Sequence, residues 1–236
     1  MVILPIQGQS KTYTVDPSKI IAVGRNYIEH LKEALADSGV AAGKVDLPKE
    51  PILFAKTPNV LIGNGEPIVI PPIVKRYGFP NPRTDHEAEL AFIIGRRCRN
   101  IRPFEAMDYI LGFTCMNDVS QRNIQESDVS GWFRGKSFDT FGPIGPVIVP
   151  PDMMGDVQNL RIICRVNGRV VQDGNTKDMI FGVRELLSFI SENFTLEEGD
   201  IIMTGTPSGV GPLKDGDVVE VEIEKIGVLR NPVRQG

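Results

Sequence analysis

Apolar residues in this chain gather mostly in short runs bounded by glycine, proline and asparagine, and in two places they recur at helical spacing. The short runs predict strands over Thr12–Val15, Ile20–Val23, Ile52–Ala55, Ile68–Ile70, Glu87–Ile94 and Leu111–Met116. Further strands are predicted over Arg161–Val166, Val170–Gln172, Ile201–Met203 and Val218–Ile223. Asn167-Gly168 lies between two of these runs and is a two-residue hairpin signal, since both residues tolerate positive φ. Tyr27, Ile28, Leu31 and Leu35 predict a helix from Tyr27 to Asp37, with Gly39 as its stop. Val183, Leu186, Leu187 and Ile190 form the apolar stripe of a second helix, Phe181–Asn193. Residues 39–51, small and then proline-bearing, read as a mobile connector. Strands thus outnumber helices without alternating with them, which predicts a β-rich α+β fold and no βαβ sheet. There is no internal repeat.

Composition narrows the classes of function. The chain has 236 residues, 41% hydrophobic and 24% charged, enough for a sizeable core. Its formal net charge of −4 offers no basic field for nucleic acid. Arg96, Arg97 and Arg99, the densest basic group, read as a solvated strand end. No apolar run approaches the ~18 residues of a membrane span, and Met1–Lys11 does not read as a signal peptide. Cys98, Cys115 and Cys164 are odd in number and widely spaced, so reduced thiols and a cytoplasmic location are expected. Thr204–Pro207 lacks the lysine and the following helix of a phosphate loop.

The chemistry-bearing residues fall into three groups. Glu87 and Glu89 are two apart on a predicted strand and share a face. Like charges at the start of a buried strand are costly unless a cation lies between them. Asp118 ends a second apolar strand and supplies a third carboxylate. Such a set favours a hard cation, Mg²⁺ or Mn²⁺, with positions left open for substrate and water. Spacing alone leaves the alternative of two solvent-facing glutamates open and favours it. His86 should face away from Glu87. His30 and Glu33, three apart on the first helix, can touch and form a base with its orienting carboxylate. On spacing alone the pair reads more readily as an exposed surface pair. Lys136, among aromatics and glycine, reads more readily as a surface lysine than as a buried one.

Taken in order, these segments resemble the fumarylacetoacetate hydrolase family. The matching stretches are Val23-Gly24-Arg25-Asn26-Tyr27 with His30 and Glu33, Ile52–Lys56, Glu87-Ala88-Glu89-Leu90-Ala91, and Asn117–Arg122. Gly135–Asp139, Gly142–Pro146, Val166-Asn167-Gly168, Gly199–Pro207 and Gly209–Pro212 follow. The resemblance implies a mixed β-roll core over residues 51–236, with a small N-terminal subdomain and lid helix over 1–50, and a homodimer. It implies Glu87, Glu89 and Asp118 as metal ligands, His30 and Glu33 as a catalytic dyad, and Lys136 as an active-site lysine. Thr206 is implied as a substrate contact, with Arg25 and Gln125 near the substrate carboxylate and Arg122 bracing the Asp118 loop. The implied activity is metal-dependent C–C hydrolysis of an acylpyruvate-like 2,4-dioxo acid through a pyruvate enolate. The alternatives are an oxaloacetate decarboxylase, a decarboxylase/isomerase of the 2-hydroxyhepta-2,4-diene-1,7-dioate type, or a binding protein that has kept the fold. Residues 34–51 and 74–84 look longer than in the shortest relatives, and Asn123 stands where many have Asp. These departures bear on the substrate and the lid.

Overall fold

The computed structural model describes residues 1–37, 46–129 and 131–236, except the side chains of 35–37. In chain order the elements are β1 Val2–Pro5, β2 Thr12–Val15, β3 Ile20–Gly24, α1 Ile28–Asp37, β4 Ile52–Lys56, β5 Leu61–Ile62 and β6 Ile68–Ile70. Then come α2 Ile73–Tyr77, β7 Thr84–His86, β8 Ala88–Ile94, β9 Ile110–Asn117, β10 Ser120–Gln121, α3 Arg122–Ser127 and α4 Phe133–Lys136. The remainder are β11 Gly142–Val149, α5 Pro151–Met154, β12 Arg161–Val166, β13 Arg169–Asn175, α6 Val183–Asn193, β14 Ile201–Met203, β15 Gly211–Pro212, β16 Val218–Ile223 and β17 Gly227–Gln235.

A seven-stranded mixed sheet, ordered β4-β3-β14-β8-β9-β11-β5, forms the frame. β8 runs through its middle and is buried at every position, because both faces of the sheet are covered. A five-stranded sheet, β13-β12-β16-β17-β6, packs beside it. There β16 alternates, with Val219, Val221 and Ile223 buried between less buried residues, so one face meets the core and the other is more open. The β12–β13 hairpin turns at Asn167 and Gly168, which have φ of 54° and 78°. This is the predicted turn chemistry. The fold is the expected β-rich α+β arrangement. Either side of residue 50, β3 pairs with β4 and also with β14, in one sheet.

Differences from the pattern-based elements have local causes. Glu87 is not inside a strand but in a break between β7 and β8, where β7 leaves the large sheet to pair with β10 and β15. β1, β5, β11 and β17 were not expected as strands; proline or glycine within three of them masks the alternation. On α1, Tyr27 and Leu31 are buried as expected but Ile28 is exposed. Gly39 and most of the 39–51 connector lie outside the described residues. Cys98, Cys115 and Cys164 are free and buried. Arg96, Arg97 and Arg99 are exposed. Among the described residues no helix is long and apolar enough to cross a membrane.

Candidate metal centre

Pairing of β8 with β9 sets the geometry of the acidic cluster. The register places Ala88 opposite Asn117 and Glu89 opposite Met116, so Asp118 emerges beside Glu87 where the ladder ends. The Asn117 side chain accepts the Glu87 backbone N–H at 2.9 Å, and the Asp118 N–H donates to the Glu87 carbonyl at 2.9 Å. The break in the strand is therefore clamped from the neighbouring strand. One carboxylate oxygen from each of Glu87, Glu89 and Asp118 lies within 4.8 Å of the others, and all three residues are buried.

Positive charge around the cluster is uneven. Lys136 Nζ lies 3.0 Å from Glu87 Oε2 and 2.5 Å from Asp118 Oδ2. Lys56 Nζ donates to Asp118 Oδ1 at 2.6 Å and to the Lys136 carbonyl. Arg122 Nη2 bonds Glu87 Oε1, and its Nε bonds Asp85 at 2.9 Å. Glu89 receives only the Gly205 N–H, at 2.7 Å, among the described residues. Burial disfavours a charged Glu87, but Lys136 and Arg122 outweigh it and hold the carboxyl well below its usual range. Burial pushes Glu89 well up, and the charges of Asp118 and Glu87 add to it. Burial also draws the Lys56 ammonium down against the pull of Asp118. Among the described residues, therefore, no cation bonds Glu89 directly, and the Lys136 charge only partly offsets its neighbours. A divalent cation fits that lack, and an all-oxygen donor set suits Mg²⁺ or Mn²⁺.

A cleft of about 260 Å³ opens onto these carboxylates. His30, Glu33, Glu87, Glu89 and Lys136 line it, as do Arg25, Gln125 and Thr206. Asp118 is fully buried and joins through its neighbours. His30 Nδ1 lies 3.2 Å from Glu33 Oε2, and both Glu33 oxygens accept the Gly209 N–H, at 3.1 and 3.2 Å. A carboxylate only accepts, so this contact assigns the histidine proton to Nδ1 and leaves Nε2 as the basic atom.

A family model, fumarylacetoacetate (FAA) hydrolase C-terminal, matches residues 19–234. The chain belongs to the fumarylacetoacetate hydrolase family. It is 41% identical to the mitochondrial oxaloacetate tautomerase FAHD2A of Homo sapiens, over 92% of this chain and 67% of that one. The crystal structure of 2-hydroxyhepta-2,4-diene-1,7-dioate isomerase from Mycobacterium marinum matches with a TM-score of 0.79 and 36% identity, over 96% of this chain and 81% of that one. The fumarylpyruvate hydrolase of Pseudomonas aeruginosa, in complex with Mn²⁺ and pyruvate, matches with a TM-score of 0.84 and 27% identity, over 100% and 96% of the two chains. This family member is thus similar to a tautomerase, an isomerase and a hydrolase.

Several readings from spacing alone are corrected. Lys136 is not a surface lysine but is 2% exposed, because two carboxylates compensate its burial. The His30–Glu33 pair is not on the open surface: His30 is 9% exposed and faces the cleft. Glu87 and Glu89 do not face solvent. Arg122 bonds Asp85 and Glu87, and the Glu87 carbonyl in turn holds the Asp118 N–H; the Asp118 side chain itself is bonded by Lys56 and Lys136. His86 turns away from the cluster as expected and bonds Gln172. Spacing did not single out Lys56, since a lone lysine at the end of a strand is ordinarily solvated. Nor did it single out Asn26, whose amide links Thr204 and Phe181 and so ties the start of α1 to the loop bearing Thr206. Arg25 adopts φ of 55° and lies 5.7 Å from the Trp132 ring. Gly24 is required beside it, because a Cβ there would sit 2.4 Å from that ring.

Proposed function

We propose that this chain hydrolyses a C–C bond in a small acylpyruvate-like 2,4-dioxo acid, with Mg²⁺ or Mn²⁺, and releases pyruvate by way of its enolate. The observation that carries this reading is a paired histidine and glutamate lining the same cleft as three buried carboxylates. Held by Glu87, Glu89 and Asp118, the cation would supply Lewis-acid polarisation of the substrate's carboxylate and 2-oxo oxygens. His30, held by Glu33, takes a proton from water, whose oxygen attacks the distal carbonyl. The bond between the distal carbonyl carbon and the methylene then breaks, its electron pair going to the methylene as the pyruvate enolate, and the acyl half leaves as a carboxylic acid. Lys136 places a buried ammonium where the enolate charge develops, and the enolate takes up a proton to give pyruvate. Arg25, Gln125 and Thr206 orient the substrate.

A second reading is favoured by the 41% identity to a named oxaloacetate tautomerase. There a proton is taken from the substrate's methylene carbon and one is given to its 2-oxo oxygen, which interconverts keto and enol forms, and no water attacks. Decarboxylation of oxaloacetate passes through the same enolate as CO₂ leaves. One assay separates the three. Protein loaded with Mg²⁺ or Mn²⁺ is given acetylpyruvate, and release of acetate and pyruvate is followed; with oxaloacetate, loss of enol absorbance and release of CO₂ are followed. Faster enol loss than hydrolysis would replace the first reading with the second. We also propose a homodimer, which sedimentation equilibrium would detect as twice the 26.0 kDa chain mass.

A further inference from the structure

Gln172 lies on β13, in the smaller sheet, yet its amide reaches the loop that carries Thr206. It is 1% exposed, and Thr206 is 2% exposed. Its Oε1 accepts the Ala88 backbone N–H at 3.1 Å. Its Nε2 donates to the Pro207 carbonyl at 2.8 Å and to Thr206 Oγ1 at 2.8 Å. The orientation of the amide is not a free choice. A backbone N–H can only donate, and a backbone carbonyl can only accept. With Ala88 on one side and Pro207 on the other, the nitrogen must be the atom that faces Thr206.

The consequence falls on the threonine. A hydroxyl has one proton to give and accepts through its lone pairs. Thr206 Oγ1 spends acceptor capacity on Gln172, and among the described residues nothing takes its proton. Thr206 lines the cleft, beside Gly205, whose N–H is the donor on Glu89. The loop is also held tightly to β13. A Cβ on Gly174 would sit 2.7 Å from the Pro207 side chain, and one on Gly209 only 2.2 Å from the Val171 carbonyl. Such packing leaves the Gln172–Thr206 distance little room to change.

We propose that Gln172 is a positioning residue that fixes Thr206 as a hydrogen-bond donor into the cleft. The site is thereby selective for ligands that present a keto oxygen at that point, over analogues that present an amino group there. The proposal takes from the functional reading only that an oxo acid occupies the cleft, not which bond it breaks.

The test is a double-mutant cycle in pyruvate affinity, measured by calorimetry on Mn²⁺-loaded protein, with alanine as the 2-amino analogue. Thr206→Val is expected to weaken pyruvate binding about tenfold or more, the scale of a hydrogen bond to a charged or polarised oxygen. Thr206→Ser should restore most of it. Gln172→Leu is expected to weaken pyruvate binding several-fold in the wild-type and Thr206→Ser backgrounds, and to add nothing to Thr206→Val. Gln172→Met, closer in length, replaces it if the leucine variant does not fold. Mn²⁺ affinity should stay within about twofold, which a general disturbance of β8 would not allow. Losses that multiply in the double variant, or Mn²⁺ affinity falling in step with pyruvate affinity, would overturn the proposal. So would alanine binding as tightly as pyruvate, or a wild type that does not bind pyruvate. A wild type that binds pyruvate through this cycle but turns over no oxo acid would reject only the catalytic reading.

Discussion

At the scale of single residues, the site is a problem of charge balance in a buried place. Lys136 and Lys56 both bond Asp118, Lys136 and Arg122 both bond Glu87, and Glu89 has one backbone donor among the described residues. Glu89→Gln keeps the shape and removes one of three crowded negative charges. In EDTA it should melt no lower than the wild type, since a buried like-charge repulsion is gone. With Mn²⁺ added, the wild type should gain in Tm and the variant should not; a clear Mn²⁺ shift in Glu89→Gln would remove Glu89 from the ligand set. His30 has a different task. His30→Ala should lower acetylpyruvate turnover at least ~100-fold, the usual reach of general-base catalysis. Retention of full hydrolysis by this variant would show that water is activated some other way.

At the scale of elements, α1 brings His30 and Glu33 to the wall of the cleft. Its Glu33 joins His30 within the helix to the Gly209 N–H across the cleft. Partial burial works against the Glu33 charge, but the bonds from His30 and Gly209 outweigh it and lower the carboxyl below its ordinary 4.5. A depressed acid stabilises the docked helix above that ordinary value and loses its hold as pH falls through the lowered one. Hydrogen exchange of α1 amides should therefore be unchanged, once corrected for intrinsic rates, from pH 7 to about pH 5, and should quicken below about pH 4.5. In Glu33→Ala the fast exchange should already be present at pH 7. Equal protection of α1 in both proteins at pH 7 would count against this link. Gly209 itself, at φ of 94° with the Val171 carbonyl 2.2 Å from where a Cβ would be, has no room for alanine. Gly209→Ala should displace the loop and bring the same fast exchange.

At the scale of the whole molecule, the cluster draws on strands distant in sequence but neighbouring in one sheet, so an ion there should hold the sheet together. If it binds only the folded chain, Mn²⁺ at one hundred times its Kd should add about 2.7 kcal/mol to unfolding stability. Chelation should remove both that increment and turnover. Turnover that survives exhaustive chelation would reject a metal requirement. By itself the sequence determined the strands whose alternation or apolar runs are unbroken, such as β8 and β16, the Asn167-Gly168 turn and the α6 stripe. These are local, because backbone geometry sets side-chain direction and turn preference over a few residues. Proline- and glycine-bearing strands such as β11 and β17 escaped, because their pairing comes from neighbours and not from their own pattern. Only the tertiary structure decided that Asp118 lies beside Glu87, that Lys136 and Lys56 are buried there, and that Gln172 aims Thr206. A buried charge or amide is stable only once distant partners arrive to satisfy it, and those partners are brought by the sheet register, not by spacing along the chain.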